Sequence, residues 1–183
     1  MTLGKGVVTI KSRAFYDAPI QSIQLPDTLE TIETHAFFYS KLVSIHIPAS
    51  VTSIHYQSFG RINCLETITV DEKNPFYHSS GNCLIETSTK KLIIGCQTSS
   101  IPLDGSVTSI GERAFDCCEG ITSIIIPDSV RSIGSKSFSS CTSLESITFQ
   151  GTIEQWNLIE KGILWNKDVP ATVVHCIDGD VAI

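Results

Sequence analysis

The sequence predicts a β-rich solenoid of stacked coils, and three observations predict it. Phenylalanines recur at Phe15, Phe37, Phe59, Phe115 and Phe138, in steps of 22, 22, 56 and 23 residues, and fixed periods of about 20 to 29 residues belong to leucine-rich repeats. After each phenylalanine comes an apolar triplet with spacing 0, 3, 5: Ile20, Ile23, Leu25; Leu42, Ile45, Ile47; Leu65, Ile68, Val70; Ile121, Ile124, Ile126; Leu144, Ile147, Phe149. A second apolar pair then ends the coil, as Leu29 and Ile32, Val51 and Ile54, Val107 and Ile110, or Val130 and Ile133. A repeat of this kind specifies a scaffold and a surface and by itself places no reactive group.

Composition sets the bounds. The chain of 183 residues is one domain by length, and 42% hydrophobic with 17% charged residues excludes a disordered polyelectrolyte. A net charge of −6, with 13 scattered Lys and Arg, points away from nucleic acid, because neutralising phosphates needs clustered cations. No run approaches the roughly 20 apolar residues that span a bilayer, so no membrane insertion is expected of this segment. Met1 to Ile10 has neither a basic nor an apolar signal region. Seven cysteines without CxxC spacing argue against a full disulfide framework or a zinc site. Cys118 and Cys141 share a place, three before the first strand residue, that Ile62 and Tyr39 take in other coils, so they are expected to be buried free thiols.

Along the chain, Val7 and Ile10 already match the pair that ends a coil, so residues are expected to precede this segment. In each triplet the final Ile-x-Ile has the period of a short strand with one buried face. Pro26, Pro48, Pro102 and Pro127 follow directly, and a residue without N–H stops the pairing. Successive strands should stack in parallel. The second apolar pair and the phenylalanine turn the chain around the opposite wall, where the rings can stack into a spine.

These residues carry a resemblance. Ser109-Ile-Gly-Glu-Arg-Ala-Phe115, Leu144-Glu-Ser-Ile-Thr-Phe149 and Ile125-Ile-Pro-Asp-Ser-Val130 are similar to BspA-like, Treponema-type leucine-rich repeats, over about residues 7 to 156. The resemblance implies a right-handed solenoid, mostly from bacterial surface and secreted proteins, often within a larger chain, with binding or adhesion roles and no catalytic residues to carry over. An extracellular or cell-surface location follows from that resemblance alone.

The 56-residue step is read as two coils plus about ten extra residues, with Ile101, Pro102, Val107 and Ile110 marking the hidden coil. The surplus falls in an irregular insertion, residues 71–97, inside a single solenoid domain, residues 1–183. Apolar runs on both sides of Thr87 to Lys90 predict a β-hairpin with Glu86 facing Lys91. A hairpin projecting from a solenoid has few neighbours, so this part is expected to be the most mobile. Cys83 and Cys96 could meet on it, and the sequence leaves open whether they pair.

After Phe149 the repeat is no longer legible, and residues 151–183 read as a C-terminal cap. Ile153, Trp156, Ile159 and Ile163 share one helical face, with Thr152 as N-cap and Gly162 past the end. Val173, Val174 and Cys176 add a strand, and Asp178 to Asp180 form a polar turn that ends it.

Nothing in the sequence assembles chemistry. The five histidines fall in different coils, and His46 lies between two core isoleucines and points outward. His175 with Asp178 lacks any nucleophile elbow. Asp71, Glu72 and Asn74 lack the spacing of a calcium loop. No catalytic residue, metal or cofactor is assigned, and the chain is read as a non-enzyme. The outward strand positions instead form rows: Ser22, Ser44, Thr67, Ser123, Ser146, and beside them Gln24, His46, Thr69, Ile125, Thr148. Repeat proteins of this shape usually dock partners on that concave face, and the second row is the candidate ligand-binding surface. Two readings follow: a protein- or glycan-binding, adhesion-type module of a bacterial surface or secreted protein, and an architectural spacer without a ligand.

Overall fold

Apolar residues at every second strand position and one phenylalanine per turn dictate a coil with two walls and a filled interior, and the computed structural model, which describes residues 1–183, has that form. It is a β-solenoid of about 7 turns with one short helix. In chain order the first strands are β1 (Thr9–Ile10), β2 (Thr31–Ile32), β3 (Ser44–Ile47), β4 (Ser53–Ile54) and β5 (Thr67–Val70). An insertion follows with β6 (Tyr77–Ser80), β7 (Cys83–Glu86) and β8 (Lys91–Ile94), after which come β9 (Ser109–Ile110), β10 (Ser123–Ile126), β11 (Ser132–Ile133) and β12 (Ser146–Phe149). The chain ends with α1 (Ile153–Leu158), β13 (Glu160–Lys161), β14 (Val173–Cys176) and β15 (Gly179–Ala182).

The first wall holds β3–β5 and β10–β12–β14, parallel and in the expected register, with Ile45 opposite Ile68 and Ile124 opposite Ile147. The opposite wall is also a sheet. Each isoleucine of the coil-ending pair sits on a two-residue strand, giving β1–β2–β4 and β9–β11, the latter flanked by β8 and β13. Such strands are stable only because a neighbouring coil supplies the other half of every ladder.

The phenylalanine spine is present. Phe15, Phe37 and Phe59 stack with centroids 5.2 Å apart, and Phe115 stacks on Phe138 at 5.0 Å and 4°. Backbone ladders hold these turns in line, Phe37 N donating to Ser58 O and Phe115 N to Ser137 O. The turns flank their phenylalanines with left-handed residues, Arg113 and Cys117 in one coil and Lys136 and Ser140 in the next. Counted from the phenylalanine, Cys118 and Cys141 align with buried Ser40, whereas Tyr39 is 38% exposed. Aligning this turn from the strand end misplaced that one position, because the coil around Phe37 has a shorter turn.

The insertion differs most from expectation. Glu86 does face Lys91 across the hairpin, but the hairpin does not project. β8 joins the second wall by pairing with β9, and Cys83, Leu84, Ile85, Leu92, Ile93 and Ile94 are all buried. Its side chains serve two interiors, with a register shift at Leu84/Ile85 that breaks the strict alternation. Leu84, Ile93 and Ile94 pack into an N-terminal cluster of 21 residues, while Cys83, Ile85 and Leu92 pack into a C-terminal cluster of 24. With both faces buried, as in a central strand, the hairpin is a septum between two cores of similar size. Only its turn, residues 87–90, is exposed.

The septum also interrupts the spine. Gly95 N donates to Ala114 O, and a Cβ at Gly95 would lie 2.0 Å from the Phe115 ring. The hidden coil therefore has no phenylalanine turn, and the chain crosses directly from one wall to the other. Across the gap Asp116, its side chain fully buried, accepts from Arg113 at 2.7 Å and from Arg61 at 3.1 Å. Burial opposes the charge of Arg61, but Asp116 and the Tyr39 hydroxyl outweigh it and raise its pKa.

At the C-terminus the expected helix and strand are both present. Thr152 caps α1, accepting from Gln155 N while the Gln155 side chain returns to Thr152 N. Trp156 and Ile159 are buried, but Ile163 is 75% exposed and lies beyond the helix. The reason is that the repeat continues under the helix. β13 pairs with β11, Phe138 N donates to Trp165 O as Phe115 N does to Ser137 O, and from that position the Trp165 ring enters the spine, edge-on to Phe138 at 6.1 Å. Gly162 belongs to that coil and not to a helix cap: a Cβ there would stand 2.3 Å from Ser135 N. Residues after Asp178 do not end the sheet either, since β15 returns antiparallel to β14.

Candidate functional site

Alternation along the first-wall strands sends Ile45, Ile68, Ile124 and Ile147 inward and leaves the residues between them facing outward. Gln24, His46, Thr69 and Ile125 are exposed and Thr148 is half-buried. His46 stands opposite Thr69 and Ile125 opposite Thr148, so within each sheet the expected row forms. Ser22 bridges Ser44, which carries Gln24 alongside His46. Hydrogen bonds run along the row: His46 Nδ1 and Thr69 Oγ1 are 2.9 Å apart, and Thr2 Oγ1 donates to Gln24 Oε1 at 3.4 Å.

The row extends further than the sequence indicated. Thr2 bridges Gln24 at one end, and His175 lies opposite Thr148 at the other, followed by Asp180 on β15. His175 Nδ1 is 2.8 Å from Asp180 Oδ1, whereas Asp178 accepts from Ile153 N, so the nearest carboxylate partner of His175 is Asp180 rather than Asp178. The extension was legible in principle, because Val173-Val-His-Cys176 repeats the alternation of Ser146-Ile-Thr-Phe149.

The row is also broken. Thr69 and Ile125 belong to separate sheets, and the segment between them, residues 97–103, forms no strand. A cleft of about 450 Å³ opens at this place, lined by Ser80 and Gly81 of the β6–β7 turn, by Ser99, Ser100 and Leu103, and by Ser123 and Ile125. Leu103 is 50% and Ile125 45% exposed. None of the ten lining residues is charged. No sequence signal marks this notch, because it lies where the repeat is interrupted. A second cleft, about 540 Å³, lies behind the same insertion on the other wall, between β4 and the hairpin, with Glu33, His55, Glu86 and Lys91 on its rim.

The remaining candidates are structural. Asn74 is buried and staples the insertion, donating to Pro48 O and Val51 O and accepting from Phe76 N and Tyr77 N. All seven cysteines are free, Cys83 and Cys96 included. Burial pushes the thiols of Cys83 and Cys141 up to about 12 and that of Cys118 well above its ordinary range, so they stay protonated and poorly nucleophilic. Labelling the native protein with an aromatic disulfide reagent is expected to modify Cys64 first and then, more slowly, Cys117 and Cys176, whose thiols partial burial pushes up. Cys83, Cys96, Cys118 and Cys141 should react only after unfolding, and fast reaction of any of these four would contradict the packing described.

The family model described as BspA type leucine rich repeat region matches in 6 copies, over residues 1–102 and 90–162. Among solved structures, a leucine rich cell surface protein from Faecalibacterium prausnitzii is 23% identical with a TM-score of 0.68, over 87% of this chain and 62% of its own. A leucine-rich repeat protein from Bacteroides ovatus is 21% identical with a TM-score of 0.58, over 96% and 54%. One from Eubacterium ventriosum is 22% identical with a TM-score of 0.57, over 81% and 53%. The chain thus spans less than two thirds of the length of each of these proteins. No curated protein matches. No helix is long and apolar enough to cross a membrane.

Proposed function

The chain belongs to the BspA-type leucine-rich repeat family, and from that premise we propose that it is a protein-interaction module whose partner lies across the first-wall strand face. The observation that carries this reading is the pairing of a flat, hydroxyl-rich, largely uncharged row with a notch that exposes Ile125 and Leu103 at its middle. Interfaces combine an apolar anchor with a polar surround, and this wall offers both. Adhesion at a bacterial surface is the setting the reading favours, supported by the cell-surface description of the Faecalibacterium protein.

The test is a surface-binding assay of the wild type against host matrix proteins and glycans, followed by Thr69→Arg and Ile125→Arg together. Both side chains are exposed, so the melting temperature should stay within a few degrees while binding falls at least tenfold. Binding that survives both changes would move the site elsewhere. An absence of any partner would favour an architectural spacer.

A further inference from the structure

We propose that β10 is an open docking edge that accepts an extended, uncharged segment of a partner polypeptide by strand addition in the notch; this rests on the interaction reading above and names the kind of contact. In a parallel ladder each strand turns alternate backbone groups to each side. Ile126 O accepts from Gln150 N and Thr122 O from Ser146 N, so the even-numbered residues of β10 serve β12. The N–H and C=O groups of Ser123 and Ile125 therefore face the notch. β10 pairs with no strand there, and residues 97–103 give it no backbone hydrogen bond.

The other edges exposed by the insertion are capped over part of their length, which leaves Ile68 of β5 as the one residue there with both outward backbone groups unpaired. The Tyr77 hydroxyl accepts from Ile54 N of β4 at 2.9 Å. On the β5 side, Ser79 Oγ accepts from Val70 N, Gln97 N donates to Leu65 O, and Thr98 Oγ1 donates to Glu66 O. The Gln97 side chain reaches only Cys117 and Gly120, short of β10. An edge left unpaired is the template an incoming strand uses. Small residues at Ser80, Gly81, Ser99 and Ser100 leave it room, the exposed Ile125 and Leu103 offer an apolar contact, and the absence of charge selects against an ionic segment. The occupant the edge fits is a backbone with alternating small hydroxyl and β-branched side chains, the pattern the repeat itself sets beside β10 as Ser146-Ile-Thr-Phe149.

The probe is an acetylated, amidated hexapeptide Gln-Thr-Ile-Thr-Val-Asn, which is residues 66–71 with both carboxylates exchanged for amides so that it carries no charge. Hydrogen exchange read by NMR is expected to slow at least tenfold at Ser123 and Ile125 when the peptide is added, while Ile124 and Ile126 are already protected without it. N-methylating one alternate set of peptide amides should abolish binding and methylating the other should not. Ile125→Pro removes an N–H that the fold does not use, a change tolerated at edge strands, and should weaken binding at least tenfold with the fold intact, well beyond the loss in Ile125→Ala, which removes the apolar contact and keeps the N–H. Should that variant unfold, the two methylated peptides still decide. The proposal is overturned if millimolar peptide leaves Ser123 and Ile125 exchange unchanged, if both methylated peptides bind equally, or if raising the protein concentration alone protects these amides, which would make the occupant a second copy. A partner that is lost with Thr69→Arg and Ile125→Arg but kept by Ile125→Pro would refute strand addition and leave the interaction reading standing.

Discussion

Phe138→Ala is expected to lower the unfolding free energy by about 3 to 5 kcal/mol, the usual range for a fully buried aromatic. Phe138 has no exposed surface, stacks on Phe115 at 5.0 Å and meets Trp165 edge-on at 6.1 Å. Its removal opens a void between two rings held by separate backbone ladders, so neither coil can collapse to fill it. Trp165 is the last ring of that column, and Trp156 packs on it in turn at 5.8 Å. The loss should therefore loosen α1 as well, visible as a shift in tryptophan fluorescence ahead of the main transition. Phe15→Ala is the internal comparison. That ring is half-buried and has a stacking partner on one side only, and it should cost clearly less. A urea midpoint for Phe138→Ala that implies less than about 1 kcal/mol would mean that the column is not the core.

How much could be read from the sequence follows from where the repeat is regular. Phe37, Phe59 and Phe138, the Ile-x-Ile strands and the outward row each occur several times, and repetition turns a weak local signal into a secure one. The Glu86 to Lys91 register was legible for a different reason: a short turn between two apolar runs fixes its own pairing. The features that were misread occur once. Nothing in Cys83-Leu-Ile-Glu86 distinguishes a hairpin that projects from one buried on both faces, because a run of apolar residues fits either until the neighbouring coils are in place. Trp165 escaped notice because it stands where the backbone alignment puts Ser137, and only its ring enters the spine. The notch was invisible for the same reason that it exists. It forms where residues 97–103 depart from the pattern, so no row predicted it.

Asp116→Ala is the other change expected to matter most, at about 3 kcal/mol. Breaking a buried pair by removing one partner typically costs about 3 to 5 kcal/mol, because the remaining charge loses its counterion in a place water reaches poorly. Here two charges are left, of which Arg113 keeps Glu112 at 3.8 Å. Arg61 and Arg113 both point at Asp116 Oδ2, and with side chains 32% and 20% exposed they recover part of their hydration, which sets the expectation at the lower end. The position gives the effect its meaning. Arg61 belongs to the coil before the septum and Arg113 to the coil after it, so Asp116 joins the turns of two half-solenoids whose phenylalanine columns do not touch. In a repeat protein stability is close to a sum of coil terms and interface terms, and this variant removes an interface term where the two phenylalanine columns are interrupted. Urea unfolding should show a lower midpoint and a shallower transition, as the two cores begin to unfold separately. Asp116→Asn keeps the shape and loses the charge, and should retain only part of the stability. Replacing Asp116, Arg61 and Arg113 together with apolar residues should recover much of the loss, because a buried ionic group exchanged for packed side chains is often neutral. If Asp116→Ala costs less than about 1 kcal/mol and leaves the transition as steep as before, the septum alone couples the halves and the ion cluster is incidental.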